Sequence, residues 1–123
     1  MNWRAIGVAW MVALSFPAWA EDGRGKPLLV VRFQQPVVHY EMPLYTAMSK
    51  ALEANPNMMF DVVAVSPEGT DHVNNSQLIE SSRRYGLQVA GSMKKMGMPE
   101  ERIRLSSQTS PYVSTSEVHL FVY

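Results

Sequence analysis

The chain contains no cysteine, so it can form no disulfide, thiolate nucleophile or thiolate metal site, and its stability has to come from packing alone. The same absence removes the acceptor for an N-terminal lipid. Trp3, Trp10 and Trp19 all precede residue 21, in the segment expected to be removed as an export signal, so the mature chain is expected to lack tryptophan. Neither charge sign dominates, with 11 Lys and Arg against 11 Asp and Glu, which disfavours a nucleic-acid partner or an anionic lipid surface. No apolar run reaches the roughly 20 residues needed to cross a bilayer. Gly69 stands alone rather than in a phosphate-cradling loop, and no Gly-x-Ser-x-Gly frames a nucleophile, so a hydrolase is not expected. His39, His72 and His119 lie far apart without His-x-x-His spacing, so neither a metal site nor a cofactor is expected.

What is present begins with a segment that reads as an export signal. Arg4 precedes an apolar stretch over residues 5–16, and Ala18-Trp19-Ala20 puts small side chains at the two positions a signal peptidase inspects. Pro17 interrupts the apolar run and Glu21-Asp22 follows it. The expected division is a cleaved signal peptide over 1–20, a flexible lead-in over 21–27 and one domain over 28–123. Removing Arg4 takes the basic count from 11 to 10 against 11 acids, so the mature chain is about one unit acidic. It is expected in the periplasm without a membrane anchor. Roughly a hundred residues support one hydrophobic core and leave no room for a second domain.

Residues 28–33, with Val30 and Val31, predict a strand covered on both faces. Pro43 suits the first turn of a helix, and Leu44, Met48 and Leu52 then follow at i, i+4, i+8 until Asn55-Pro56-Asn57 stops them. A second strand is predicted over 58–65, closed by the turn Ser66-Pro67-Glu68-Gly69. A long helix over 75–96 presents Leu78, Ser82, Tyr85, Val89, Met93 and Met96 on one face. Gly86 and Gly91 each weaken it by about 1 kcal/mol unless close packing requires them. Gly97 is its natural end, after Lys94 and Lys95. Short strands follow over 102–106 and, with alternating Val118, Leu120 and Val122, over 117–123. The order β-α-β-α-β-β predicts an α+β, two-layer sandwich: a mixed sheet, largely parallel, with both helices on one face. The methionines are mostly at core-facing spacing, though Met58, Met59 and Met96 would form an adaptable binding surface if exposed together.

In order, Val31-Arg32-Phe33, the helix ending in Asn55-Pro56, Gly69-Thr70-Asp71, an arginine-bearing helix and Gly97-Met98-Pro99-Glu100-Glu101-Arg102-Ile103 resemble the OmpA-like, peptidoglycan-associated domains of Gram-negative envelope proteins. The resemblance spans about residues 29–122. It implies a non-enzymatic cell-envelope domain that binds the diaminopimelate residue of the peptidoglycan stem peptide. An aspartate after the second strand and an arginine on the second helix would hold that zwitterion, the guanidinium bidentately. Asp71 matches the first role, Arg83 or Arg84 the second, and Asn75 lies beside them. Counting back from Gly97 by the family's usual helix length, however, places Tyr85 where the binding arginine belongs. The turn before Gly69 also carries extra residues, Ser66-Pro67-Glu68. Asp71, Asn74 and Asn75 could equally cap the helix, and Arg83-Arg84 could form a solvated face beside Glu80. The alternative is therefore an OmpA-like fold with a degenerate pocket, acting as a protein-protein adaptor with another envelope protein. An open edge at the C-terminal strand, with Phe121 and Tyr123 on one face, is one place for such a partner.

Overall fold

The structure, a computed structural model, describes residues 25–69 and 71–123. The expected signal peptide and residues 21–24 of the lead-in lie outside these. Strands β1 (Leu29–Arg32), β2 (Phe60–Pro67), β3 (Ile103–Ser110) and β4 (Glu117–Val122) alternate with helices α1 (Glu41–Ala54) and α2 (His72–Lys95), and a single 3-10 turn, Glu100–Arg102, precedes β3.

The sheet order is β1-β4-β2-β3. Only β2 and β3 pair in parallel, whereas β4 pairs antiparallel with β1 on one side and with β2 on the other. The largely parallel expectation is thereby corrected: the two strands that flank β4 run the same way but never touch. A strand antiparallel to both of its neighbours also cannot be an edge. The C-terminal strand is central, and Phe121 is buried, so its backbone is already spent on two partners.

Leu44, Met48 and Ala51 of α1 and Val89 and Met93 of α2 join Val31, Phe60, Val62, Val118 and Leu120 in one core. Both helices thus cover one face of the sheet. On the other face Val63, Val65 and Phe121 pack with Val113 of the β3–β4 connection. Every residue from Phe60 to Ser66, and from Glu117 to Phe121, is buried, which turns the alternating pattern of β4 from half-buried to buried on both sides. β1 shows the converse. Its apolar run lies at the sheet edge, with only Val31 buried and Arg32 exposed.

Element boundaries differ from the sequence pattern where side chains outside the apolar set decide them. α2 begins at His72 because the Asp71 side chain accepts a hydrogen bond from the Asn74 N–H at 2.7 Å, closing the first turn. β2 runs on through Ser66 and Pro67, which pair with Thr109 and Ser110. β3 therefore runs on to Ser110, four residues past the end predicted for it. Gly86 sits where an added Cβ would meet Leu105 Cδ1 at 3.1 Å and the Ala64 Cβ at 3.2 Å, so close packing on the sheet explains it. Gly91 faces open space. Gly97, at φ +107°, ends α2: its N–H reaches the Lys94 carbonyl at 3.0 Å and the Met98 N–H reaches that of Met93 at 3.1 Å. Beyond it, Arg102 donates to the Pro56 carbonyl at 2.7 Å and to Asn57 Oδ1 at 3.3 Å, tying the run into β3 to the α1–β2 loop.

Candidate functional site

The β2–α2 connection is short and tightly folded. A Cβ on Gly69 would stand 2.7 Å from the backbone nitrogen of Asn75 and 2.8 Å from its Cα, so only glycine fits. Asn75 holds the loop in turn, its Oδ1 accepting the Gly69 N–H at 3.1 Å. Asp71 remains exposed, although its carboxylate caps the helix. Thr70 lies outside the described residues.

Arg83 and Arg84 are exposed on α2, and Arg84 donates to Ser81 Oγ at 3.2 Å. Because the helix starts directly after Asp71 and rises about 1.5 Å per residue, Arg83 and Arg84 stand about 18–20 Å along its axis from that carboxylate. Asp71 and Asn75 are brought together at the helix start, and the arginines are held three turns away. Tyr85, the residue in the arginine register, stacks on Phe33 with ring centroids 4.2 Å apart and an interplanar angle of 12°. Phe33 meets Tyr40 edge-on at 6.1 Å, and the Tyr40 hydroxyl lies 2.8 Å from Ser92 Oγ. An aromatic group thus bridges β1, α1 and α2 at this position. Ser82, one turn before Gly86, points into the domain and shares a 2.7 Å hydrogen bond with Ser116 Oγ.

The second face of the sheet carries a polar array that, Arg32 apart, lies outside the family-like motifs. His119 Nε2 lies 2.7 Å from Glu117 Oε1, and the other carboxylate oxygen of Glu117 accepts from Arg32 Nε at 3.2 Å. Asp61, buried within an apolar strand, accepts from Arg104 at 3.2 Å and from Ser106 at 3.2 Å. The hydrogen bond and charge of Asp61 raise the Arg104 pKa above its ordinary value, and the guanidinium lies 4.1 Å from the Tyr123 ring centroid. The readable signals were a lone aspartate inside the branched run of β2 and a Glu-x-His step along β4, which the two-residue period puts on one face. Among the described residues no three His, Asp or Glu side chains are grouped as metal ligands, and no helix is long and apolar enough to cross a membrane.

No family model matches the chain, and no curated protein matches it. Among solved structures it is similar to the OmpA-like domain of FopA1 from Francisella tularensis subsp. tularensis SCHU S4, with a TM-score of 0.60 and 12% sequence identity over 76% of this chain and 70% of that one. At that identity the likeness speaks for the fold, and the mixed sheet with two helices on one face agrees with it in architecture. The fold of this chain is that of a divergent OmpA-like domain.

Proposed function

We propose that this chain is a non-enzymatic adaptor of the Gram-negative cell envelope, exported to the periplasm on a cleaved signal over 1–20, and that its OmpA-like fold serves a contact with another envelope protein. The observation that carries this reading is the Tyr85–Phe33 stack at 4.2 Å. The position that would hold a diaminopimelate carboxylate is occupied by an aromatic ring packed against the first strand. The carboxylate that would hold the ammonium is engaged at a helix start, and its backbone lies about 18–20 Å along the helix axis from that of either neighbouring arginine. A ligand touching both would have to span most of that distance.

The test is retention on purified sacculi at low salt. The adaptor reading expects the protein in the unbound fraction, and retention that competes with free stem peptide would sink it. A second reading, binding of the stem peptide through Asp71, Asn75 and Arg83 or Arg84, draws support from the exposure of Asp71 and both arginines. It expects retention that Asp71→Ala abolishes.

A further inference from the structure

We infer that the surface through which this adaptor works is the end of the sheet where β1, β2 and β3 finish, and that its occupant is a protein segment both apolar and basic; the inference rests on the adaptor reading. Because β4 is antiparallel to both β1 and β2, and β3 is parallel to β2, these three strands end on the same side of the domain. The β1–α1, β2–α2 and β3–β4 connections converge there. With strands about 4.8 Å apart, β1 and β3 are separated by about 15 Å across the sheet.

These connections and the helix turns after them carry Val37, Met42, Val73 and Tyr112, each between 64% and 74% exposed. Among the described residues, four of the eight exposed large apolar side chains lie at this one end, a concentration that marks a contact surface better than scattered single residues do. The backbone beneath is held. The Phe33 N–H donates to the Ser116 carbonyl at 2.9 Å, and Thr115 Oγ1 donates to the Phe33 carbonyl at 3.1 Å. Little ordering cost is left for binding.

Charge selects the occupant. Residues 33–43, 68–75 and 111–116 contain no lysine or arginine but carry Glu41, Glu68 and Asp71, all exposed, while Arg32, the basic residue at the end of β1, is offset by its ion pair with Glu117 at 3.2 Å. Helix starts account locally for Glu41 and Asp71. They account neither for Glu68 nor for the four exposed apolar groups. Lys94 and Lys95 lie toward the other end, in the last turn of α2, and Arg102 in the run into β3, with Lys50 in the second half of α1. A second copy docked end to end would bring six carboxylates together, which opposes self-association by this surface. A segment alternating apolar and basic side chains meets its complement.

The experiment uses the whole protein and two synthetic peptides of equal length, one alternating Lys and Leu and one alternating Glu and Leu, followed by fluorescence anisotropy and amide chemical shifts. The lysine peptide is expected to bind, to shift Val37, Met42, Val73 and Tyr112, and to weaken at least tenfold between 50 mM and 500 mM salt. The exposed double change Met42→Ser/Val73→Ser is expected to weaken it at least tenfold with an unaltered thermal melt, and Glu68→Lys several-fold. Equal binding of the glutamate peptide, shifts confined to Tyr45, Leu52 and Met96, or indifference to these variants would overturn the surface. So would the same residues responding to lipid vesicles in place of the peptide. Retention on sacculi together with peptide binding here would overturn the adaptor reading and leave the surface standing.

Discussion

Glycine positions separate into two kinds by what surrounds them. At Gly69 the backbone of Asn75 fills the space a side chain would need, and backbone cannot retreat as a flexible side chain can. Gly69→Ala is expected to destabilise the fold by about 2–3 kcal/mol, read as a lower urea midpoint. At Gly91 nothing lies within 4 Å of the missing Cβ. Gly91→Ala should therefore stabilise by about 0.5–1 kcal/mol through helix propensity and a less flexible unfolded chain. A loss of stability there would mean that α2 meets a partner at that point. Tyr85→Arg restores the family's residue type at the cost of the Phe33 stack, and should lower stability by about 1–2 kcal/mol. An unchanged melt would show the ring pair to be passive. Arg104 illustrates a contact with no useful pH signature: its pKa is raised by Asp61, so the stability it adds is complete below the ordinary arginine value and is lost only at higher pH than proteins normally meet.

At the scale of elements, α1 and α2 were legible because a 3.6-residue apolar stripe survives whatever it packs against, and the Gly97 stop because a left-handed backbone selects glycine. The start of α2 was displaced by three residues, since an aspartate cap competes with the apolar pattern as a boundary signal and here the cap decides. β3 was read as half its length. Its second half, Ser107 to Ser110, owes its conformation to four backbone pairings with β2, which no local propensity encodes. The candidate site divides the same way. Asp71 and Asn75 lie at the start of α2, whereas Tyr85, which the apolar stripe puts on the packed face, owes its stack to Phe33, 52 residues earlier. Arg102, part of the same motif, acts as a strap across the α1–β2 loop. Arg102→Ala is expected to cost about 1 kcal/mol and to speed amide exchange at Asn57 and Met58 with the rest of the domain unchanged.

For the molecule as a whole, the arrangement of β4 sets the order in which anything can happen. β1 has no partner in the sheet except β4, and the β2–β3 pair reaches β1 only through it. A chain that emerges N-terminus first has made α1, α2 and three strands before the strand that joins them exists. Until then Val31 and Val62 have no sheet to share, and the intermediate exposes two strand edges that the finished fold conceals. Removing residues 117–123 should accordingly leave no folded remnant: the truncated chain is expected to lose its near-ultraviolet dichroism and its cooperative melt together, whereas a stable residual core would mean that β2, β3 and α2 fold alone. The longest wait in the life of this protein falls on its first strand, which has to be kept from other partners for nearly ninety residues before its own arrives.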